Sequence, residues 1–307
     1  MKENIQNKNI RNKNIQNDKE NYKADKKIFN SKLAKSIPSK KRLGKRRKPW
    51  QLVLFKFAVK KKDKFKTLAR YLGKIYPNKK YLDIGCGTGA ISYYLRKIGG
   101  NWHTVDNDKN CVEISKTILK ENVYQRDGLE TGFKDNTFHK VVSLDIIEHI
   151  KDDDAFIEEV KRILEPNGEF VITTPSLDGF LFLNKIKDLI GLTPDKYGHV
   201  RAGYKAKDLR RKLMKHGFSI VLEKTYSRFF TELIELCINF AYICLRKNKT
   251  KGYNADVSPS SQKDLKAIKK MIMPYKIMHP LFSLISSFDN LILFTKGYGL
   301  LIRARKE

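Results

Sequence analysis

The chain has 307 residues, of which 41% are hydrophobic, enough for one sizeable core with an addition. Its net charge of +30 is uneven: Lys and Arg outnumber Asp and Glu by 27 to 5 in residues 1–80, but only by 36 to 28 in the remainder. No run of 18 uncharged apolar residues occurs, and the nearest, Phe229–Leu245, contains Glu232 and Glu235, which speaks against a membrane-spanning helix.

Residues 1–48 read as a basic, disordered tail. "NIQNKNIRNKNIQND" has no apolar periodicity and cannot bury enough surface to fold, and KKRLGKRRK is a basic run that ends at Pro49. A solvated tail and a tail attracted to phosphates on lipid or nucleic acid both fit this composition. No apolar leader follows Met1. Cys86, Cys111, Cys237 and Cys244 form no CxxC pair and no zinc-type Cys/His cluster, so no metal site is expected. Reduced thiols in a cytoplasmic protein are the plain reading.

Order is expected from Trp50. Apolar residues between Leu52 and Ile75 fit one or two helices. From Tyr81 strands alternate with helices: strand Tyr81–Ile84, helix Ala90–Ile98 stopped by Gly99-Gly100, strand Trp102–Val105 and helix Asn110–Leu119. Short strands follow at Val123–Gln125 and Val141–Leu144, then a helix over Asp154–Leu164 and a strand over Phe170–Thr173. This rhythm predicts a parallel sheet covered by helices. Beyond Pro175 the pattern loosens to a helix at Ala206–His216 and a strand at Ser219–Glu223. Two mostly apolar stretches follow, separated by a polar break over Lys247–Lys263, and Gly299–Arg305 reads as a last strand.

The strongest chemical signal is Tyr81-Leu82-Asp83-Ile84-Gly85-Cys86-Gly87-Thr88-Gly89, a strand that enters a glycine-rich turn and then a helix. Glycines there let a ligand approach the backbone near a helix N-terminus. Gly85-x-Gly87-x-x-Ala90 also matches a relaxed dinucleotide fingerprint. Asp83, however, would repel a pyrophosphate, whereas S-adenosylmethionine carries an ammonium and a sulfonium that an anion favours. Asp106 ends the next strand, 21 residues after Gly85, where an acid can take both ribose hydroxyls. Asp108 falls in the following turn and reads as a helix N-cap. Asp127 of Gln125-Arg126-Asp127-Gly128 is a candidate for the adenine amino group, or a turn aspartate.

"LDIGCGTG", "VDND", "RDG", "DNTFHKVVSLDIIEHI" and "RILEPNGEFVITTP" stand in that order. Over roughly residues 78–226 the chain therefore resembles the class I S-adenosylmethionine-dependent methyltransferases, and among them the ubiquinone/menaquinone-type O-methyltransferases (methyltransferase type 11 domain). The resemblance implies an α/β fold: a Rossmann-like, mostly parallel seven-stranded sheet with helices on both faces. It implies S-adenosylmethionine as cofactor, held by Asp83, Gly85, Cys86, Gly87, Gly89, Asp106, Asn107, Asp127, Gly128 and Leu144. His149 matches the histidine of an element that lies near the substrate, which makes it a candidate base or substrate contact. A structural histidine capping the next helix is the alternative. His199 and Arg201 belong to a "GHVR" element in the segment that covers the acceptor, and either could contact it or simply hold the loop.

The chain departs from the family between its last two strands. A short hairpin is expected there, yet some 70 residues intervene. The domain reading is a tail over 1–48, a methyltransferase core over 49–226, a helical insertion over 227–296 and the last strand over 297–307. The insertion is a candidate lid, dimer contact or membrane contact. An O-methyltransferase acting on a small or lipid-linked hydroxyl compound is the leading function. An RNA-modifying methyltransferase using the basic tail, and a non-catalytic binder of S-adenosylmethionine, are the alternatives. No RNA-binding module is recognisable. Besides the acceptor, the partner considered is an anionic membrane surface, with a peripheral position there.

Overall fold

Strands with apolar side chains on both faces can be buried only between two covering layers, and that is what this sequence builds. The structure is a computed structural model. It describes residues 49–179, 181–191, 193, 198–246, 262–292 and 295–307, so the expected tail over 1–48 and most of the polar break over 247–263 lie outside the described residues.

Seven strands form one sheet: β1 (Lys80–Ile84), β2 (Asn101–Asp106), β3 (Val123–Gln125), β4 (Phe138–Leu144), β5 (Leu164–Pro175), β6 (Phe218–Tyr226) and β7 (Gly299–Lys306). Their order is β3-β2-β1-β4-β5-β7-β6, with β7 reversed against the other six and pairing antiparallel with both β5 and β6. This is the mixed, mostly parallel, Rossmann-like sheet that was expected.

The helices in chain order are α1 (Trp50–Phe57), α2 (Val59–Tyr71), α3 (Ala90–Ile98), α4 (Lys109–Leu119), α5 (Asp153–Ile163), α6 (Leu181–Leu189), α7 (Ala206–Lys215), α8 (Phe229–Arg246) and α9 (Gln262–Ser287). Alternation along the strands feeds two cores. Leu82, Ile84, Val141, Phe170, Ile172, Leu300 and Ile302 pack on one face with Phe156, Ile157 and Val160 of α5 and Leu209 and Leu213 of α7. Tyr81, Val142, Val171 and Leu301 face the other way, onto Phe55 of α1, Phe65 and Leu68 of α2 and Leu95 of α3. The helices thus cover both faces.

Two details differ from the sequence reading. Glu165–Gly168, left between the helix expected to end at Leu164 and the strand expected from Phe170, is a bulged part of β5: pairing jumps from Phe138–Leu164 to Lys140–Glu169, with Asn167 at φ +60°. Helix α6 occupies a stretch where no element was expected.

The insertion does fall between β6 and β7. Its first helix, α8, packs inward: Leu236, Leu233 and Phe229 meet Leu183 and Ile186 of α6 and Tyr298. The early part of the apolar stretch is therefore internal packing, the usual fate of a helix apolar on most sides. No described helix is long and apolar enough to cross a membrane.

Candidate active site

The carboxyl ends of the parallel strands β1, β2 and β4 open onto a cavity of about 800 Å³. The turn after β1 forms its floor. Gly85 donates its N–H to the Val105 carbonyl at 2.8 Å and Gly89 donates to the Cys86 carbonyl at 2.9 Å, which ties the turn to β2 and closes it on itself. Gly85, Gly87 and Gly89 have φ of +81°, +50° and +78°. They serve different ends. A Cβ on Gly85 would come within 2.1 Å of Ile146 Cδ1, and one on Gly89 within 2.8 Å of Ser115 Cβ, whereas one on Gly87 would meet nothing within 4 Å. Gly87 is the position left open for a ligand. Gly89, placed by sequence among the cofactor residues, does not line the cavity; it allows the close approach of α4.

Asp106 Oδ2 accepts from the Gly87 N–H at 2.8 Å and Oδ1 from the Asp108 N–H at 3.0 Å. Burial lifts this carboxyl above its ordinary range and the two N–H bonds draw it back. Asp108 is the N-cap of α4. Asp83 is deeply buried, accepts from Ser92 Oγ at 2.5 Å, and is pushed up to about 6 by burial against the opposing pull of Ser92 and Arg96. Asn107 and Cys86 also line the cavity, and the Cys86 thiol is driven upward by burial and by Asp106. Asp127 closes its own turn, accepting from the Leu129 N–H at 2.9 Å, and lines the cavity beside Gly128.

At the end of β4, Leu144 is followed by Asp145 at φ +55°, a left-handed backbone rarely adopted by non-glycine residues. Asp145 is held there from three sides: Lys64 forms an ion pair, Thr173 Oγ1 donates at 2.7 Å and the Tyr226 hydroxyl donates at 3.4 Å. Burial raises this carboxyl, but Lys64 and Thr173 bring it below its usual range. Next comes the short helical turn Ile147–His149. Glu148 is fully buried and pushed up to about 8 by burial and by the charge of Asp145. His149 Nδ1 lies 3.0 Å from the Gly198 carbonyl, and its ring meets that of His199 edge to face at 4.5 Å. Burial and His149 lower His199 to about 4.

Of the two roles left open for Arg201, acceptor contact or support of the loop, the geometry favours the second: it donates to the carbonyls of Ile147 (2.7 Å), Ile150 (2.6 Å) and Lys151 (3.0 Å) and does not line the cavity. A guanidinium offers five planar donors, and three carbonyls converging on one turn use most of them. It clamps the segment that carries Glu148 and His149.

The wall opposite the sheet comes from α2, α6 and α8. Glu232 of α8, nearly inaccessible, pairs with Lys60 at 2.8 Å and with Lys187. Burial raises Glu232, yet the two ammonium groups hold it down to about 2. Glu235 and Asn239 of α8 also line the cavity, so the insertion covers one side of it. Lys60, Lys64, Asp145, Glu148 and Glu232 were not singled out from sequence. Lys60 and Lys64 are four apart on one helix face, but among so many lysines that spacing carried no signal. The expectation of no metal ligands came from Cys/His spacing alone; the fold brings Glu148, His149 and His199 together from about 50 residues apart.

A family model described as "Methyltransferase domain" matches residues 82–172. The ubiquinone biosynthesis O-methyltransferase of Pelagibacter ubique (strain HTCC1062) is 34% identical over 101 residues, which cover 32% of this chain and 42% of that protein. Phosphoethanolamine N-methyltransferase 2 of Caenorhabditis elegans is 30% identical over 118 residues, 36% of this chain and 27% of that protein. The matched segment thus spans less than half the length of these curated relatives. A SAM-dependent methyltransferase structure from Thermotoga maritima shares the fold, with a TM-score of 0.51 at 16% identity over 84% of this chain and 93% of that one.

Proposed function

We propose that this chain, whose residues 82–172 form a methyltransferase domain, transfers the methyl group of S-adenosylmethionine to an acceptor held at the His149 end of the cavity. The observation that carries this reading is the pairing of Gly87, open on its Cα face, with the Asp106 carboxylate that binds its N–H. The ribose hydroxyls donate to Asp106, the adenine lies by Asp127 and Gly128, and the amino-acid part rests on the turn above Asp83. Asp83 lies beneath that turn and favours the cofactor ammonium.

The sulfonium is already activated, so the protein mainly aligns donor and acceptor for in-line displacement, a contribution of about 7–11 kcal/mol. The acceptor side is polar. Glu148, His149 and His199 lie at one end, and the Lys60–Glu232–Lys187 group closes the far wall. This supports an acceptor with a hydroxyl group, and His149 is the residue that handles that hydroxyl. Wall helices that exclude water protect the transfer.

The acceptor is a small or lipid-linked hydroxyl compound. The lipid-linked form is supported by α9 and the turn after it, where Met273, Ile277, Leu281, Leu284, Phe288 and Leu291 are exposed at intervals of three and four residues. Such a stripe, with Lys276 exposed on the same helix, suits an anionic membrane surface, a better candidate than the inward-packed α8. An RNA acceptor has only the basic N-terminal segment in its favour. The test is transfer of labelled methyl from S-adenosylmethionine into hydroxylated aromatic and prenylated lipid fractions, with vesicle co-sedimentation in parallel. Label entering an alkali-stable, ether-type product in the lipid fraction supports the reading. Label entering only RNA, or no label despite bound cofactor, overturns it.

A further inference from the structure

A buried cation is stable only where enough negative charge faces it, so ammonium groups that outnumber their carboxylates mark a place for an anion. Helices α2 and α6 and the inserted helix α8 build such a group on the wall opposite the sheet. Lys60 pairs with Glu232 at 2.8 Å, and Lys187 pairs with the same carboxylate, whose side chain is 1% exposed. Glu235 lines the same wall but forms no ion pair with either lysine. Each ammonium offers three N–H donors, and Glu232 is the one hydrogen-bond acceptor for either among the described residues. About half of those donors are therefore left over, on two side chains that line the cavity. Asn184, one turn before Lys187 on α6, adds an amide to the wall.

We propose that Lys60, Lys187 and Asn184 form a subsite for an oxyanion group of the acceptor, a carboxylate or a phosphate. The proposal rests on the reading of the cavity as a methyl-transfer site and is tested apart from it.

The charge balance runs in the same direction. Burial works against the Lys60 ammonium, but Glu232 and Glu235 raise it above its ordinary value. Burial lowers Lys187, and Glu232 offsets only part of that. One carboxylate thus satisfies the first lysine and leaves the second short of negative charge. The Tyr298 ring, 5.4 Å from the Lys187 ammonium, supplies only the weaker attraction of a quadrupole. An oxyanion in the cavity supplies the missing charge through short, charge-assisted hydrogen bonds.

The subsite is also fixed relative to the reaction end. Lys64, four residues after Lys60 on α2, is ion-paired with Asp145 at the end of β4. Asp63 accepts from the Ser227 N–H at 2.7 Å and from its hydroxyl at 3.1 Å, just where the chain enters α8. Residues four apart on a helix have Cβ atoms about 5–6 Å apart, so the oxyanion binds about one helical turn from the end of β4. Lys60, Asn184, Lys187 and Glu232 all lie outside residues 82–172. The choice of an anionic acceptor therefore belongs to the parts of the chain that the methyltransferase domain does not supply.

The experiment titrates full-length protein, saturated with S-adenosylhomocysteine, with inorganic phosphate, phenylacetate and the uncharged 2-phenylethanol, each by calorimetry. The expected result is one equivalent of phosphate or phenylacetate, bound at least about tenfold more tightly than 2-phenylethanol. Tighter phosphate assigns a phosphorylated acceptor, and tighter phenylacetate a carboxylated one. Lys187→Gln, in which Lys60 still pairs with Glu232, weakens anion binding about tenfold or more and leaves S-adenosylhomocysteine affinity within about threefold. If Lys187→Gln does not fold, Lys60→Gln decides. No anion binding, binding no tighter than that of 2-phenylethanol, or binding undiminished by Lys187→Gln, as the basic residues of the N-terminal segment would give, each overturn the subsite even where S-adenosylhomocysteine still binds. Failure of the wild type to bind S-adenosylhomocysteine instead overturns the methyl-transfer reading itself.

Discussion

Gly85 and Gly87 share a turn and a left-handed backbone, yet the structure assigns them opposite sensitivities. At Gly87 a Cβ meets no heavy atom within 4 Å. Alanine there carries only the left-handed backbone penalty, about 1 kcal/mol once the lower entropy of the unfolded chain is allowed for. At Gly85 the same penalty is joined by a Cβ 2.1 Å from Ile146 Cδ1. Overpacking of that kind typically adds about 1–3 kcal/mol, so Gly85→Ala should lose about 2–4 kcal/mol. Binding should separate the two in the other direction. The new methyl of Gly87→Ala occupies space that the account gives to the cofactor, so affinity for S-adenosylhomocysteine should fall at least about tenfold, or 1.4 kcal/mol. Urea unfolding and calorimetric titration on both variants give the four numbers. Wild-type affinity in Gly87→Ala would refute the placement of the ligand over that residue.

Asp106→Ala should weaken S-adenosylhomocysteine binding by about 1.5–3 kcal/mol, the scale of hydrogen bonds to a charged group; an unchanged dissociation constant in calorimetry removes Asp106 from the site. Arg201→Ala should lower stability by about 1–3 kcal/mol through three abandoned carbonyls while leaving cofactor affinity intact, and reduced cofactor affinity with unchanged stability would count against the clamp. Asp83 has a folded-state pKa of about 6 against 3.8 unperturbed. The unfolded chain therefore ionises it first, and folded stability falls as pH rises between those values and stays lower above them, by about 3 kcal/mol in all. Asp83→Asn, which keeps an acceptor for Ser92, should lack that slope; parallel stability curves from pH 4 to 7 in mutant and wild type would refute the burial argument.

The core from β1 to β5 was legible because both signals needed to read it are local. Strand alternation and the Gly85–Gly89 turn lie within single short windows, and Asp106 follows at a fixed strand-helix-strand spacing. The helix boundaries were close for the same reason: Asp108 and Asp152 cap α4 and α5 with their side chains. The acceptor side was not legible. Glu148 and His199 become neighbours only through hydrogen bonds between two distant loops, and Glu232 is identifiable as a buried acid only once Lys60 and Lys187 are seen beside it. Arg201 was left between two roles because an arginine beside a histidine in a loop looks the same in sequence whether its guanidinium meets a ligand or backbone carbonyls. The apolar stretch Phe229–Leu245 carried no sign of direction, and α6, against which it packs, went unread because its apolar residues follow a glycine-bounded, irregular segment.

The most direct measurement is a crystal structure of the full-length protein with S-adenosylhomocysteine. The account requires the ribose hydroxyls on the Asp106 carboxylate, the homocysteine moiety over Gly87, the adenine beside Asp127 and Gly128, and the sulfur facing the space in front of His149. A nucleoside bound elsewhere, or one reversed so that adenine lies against His149 and His199, would contradict it.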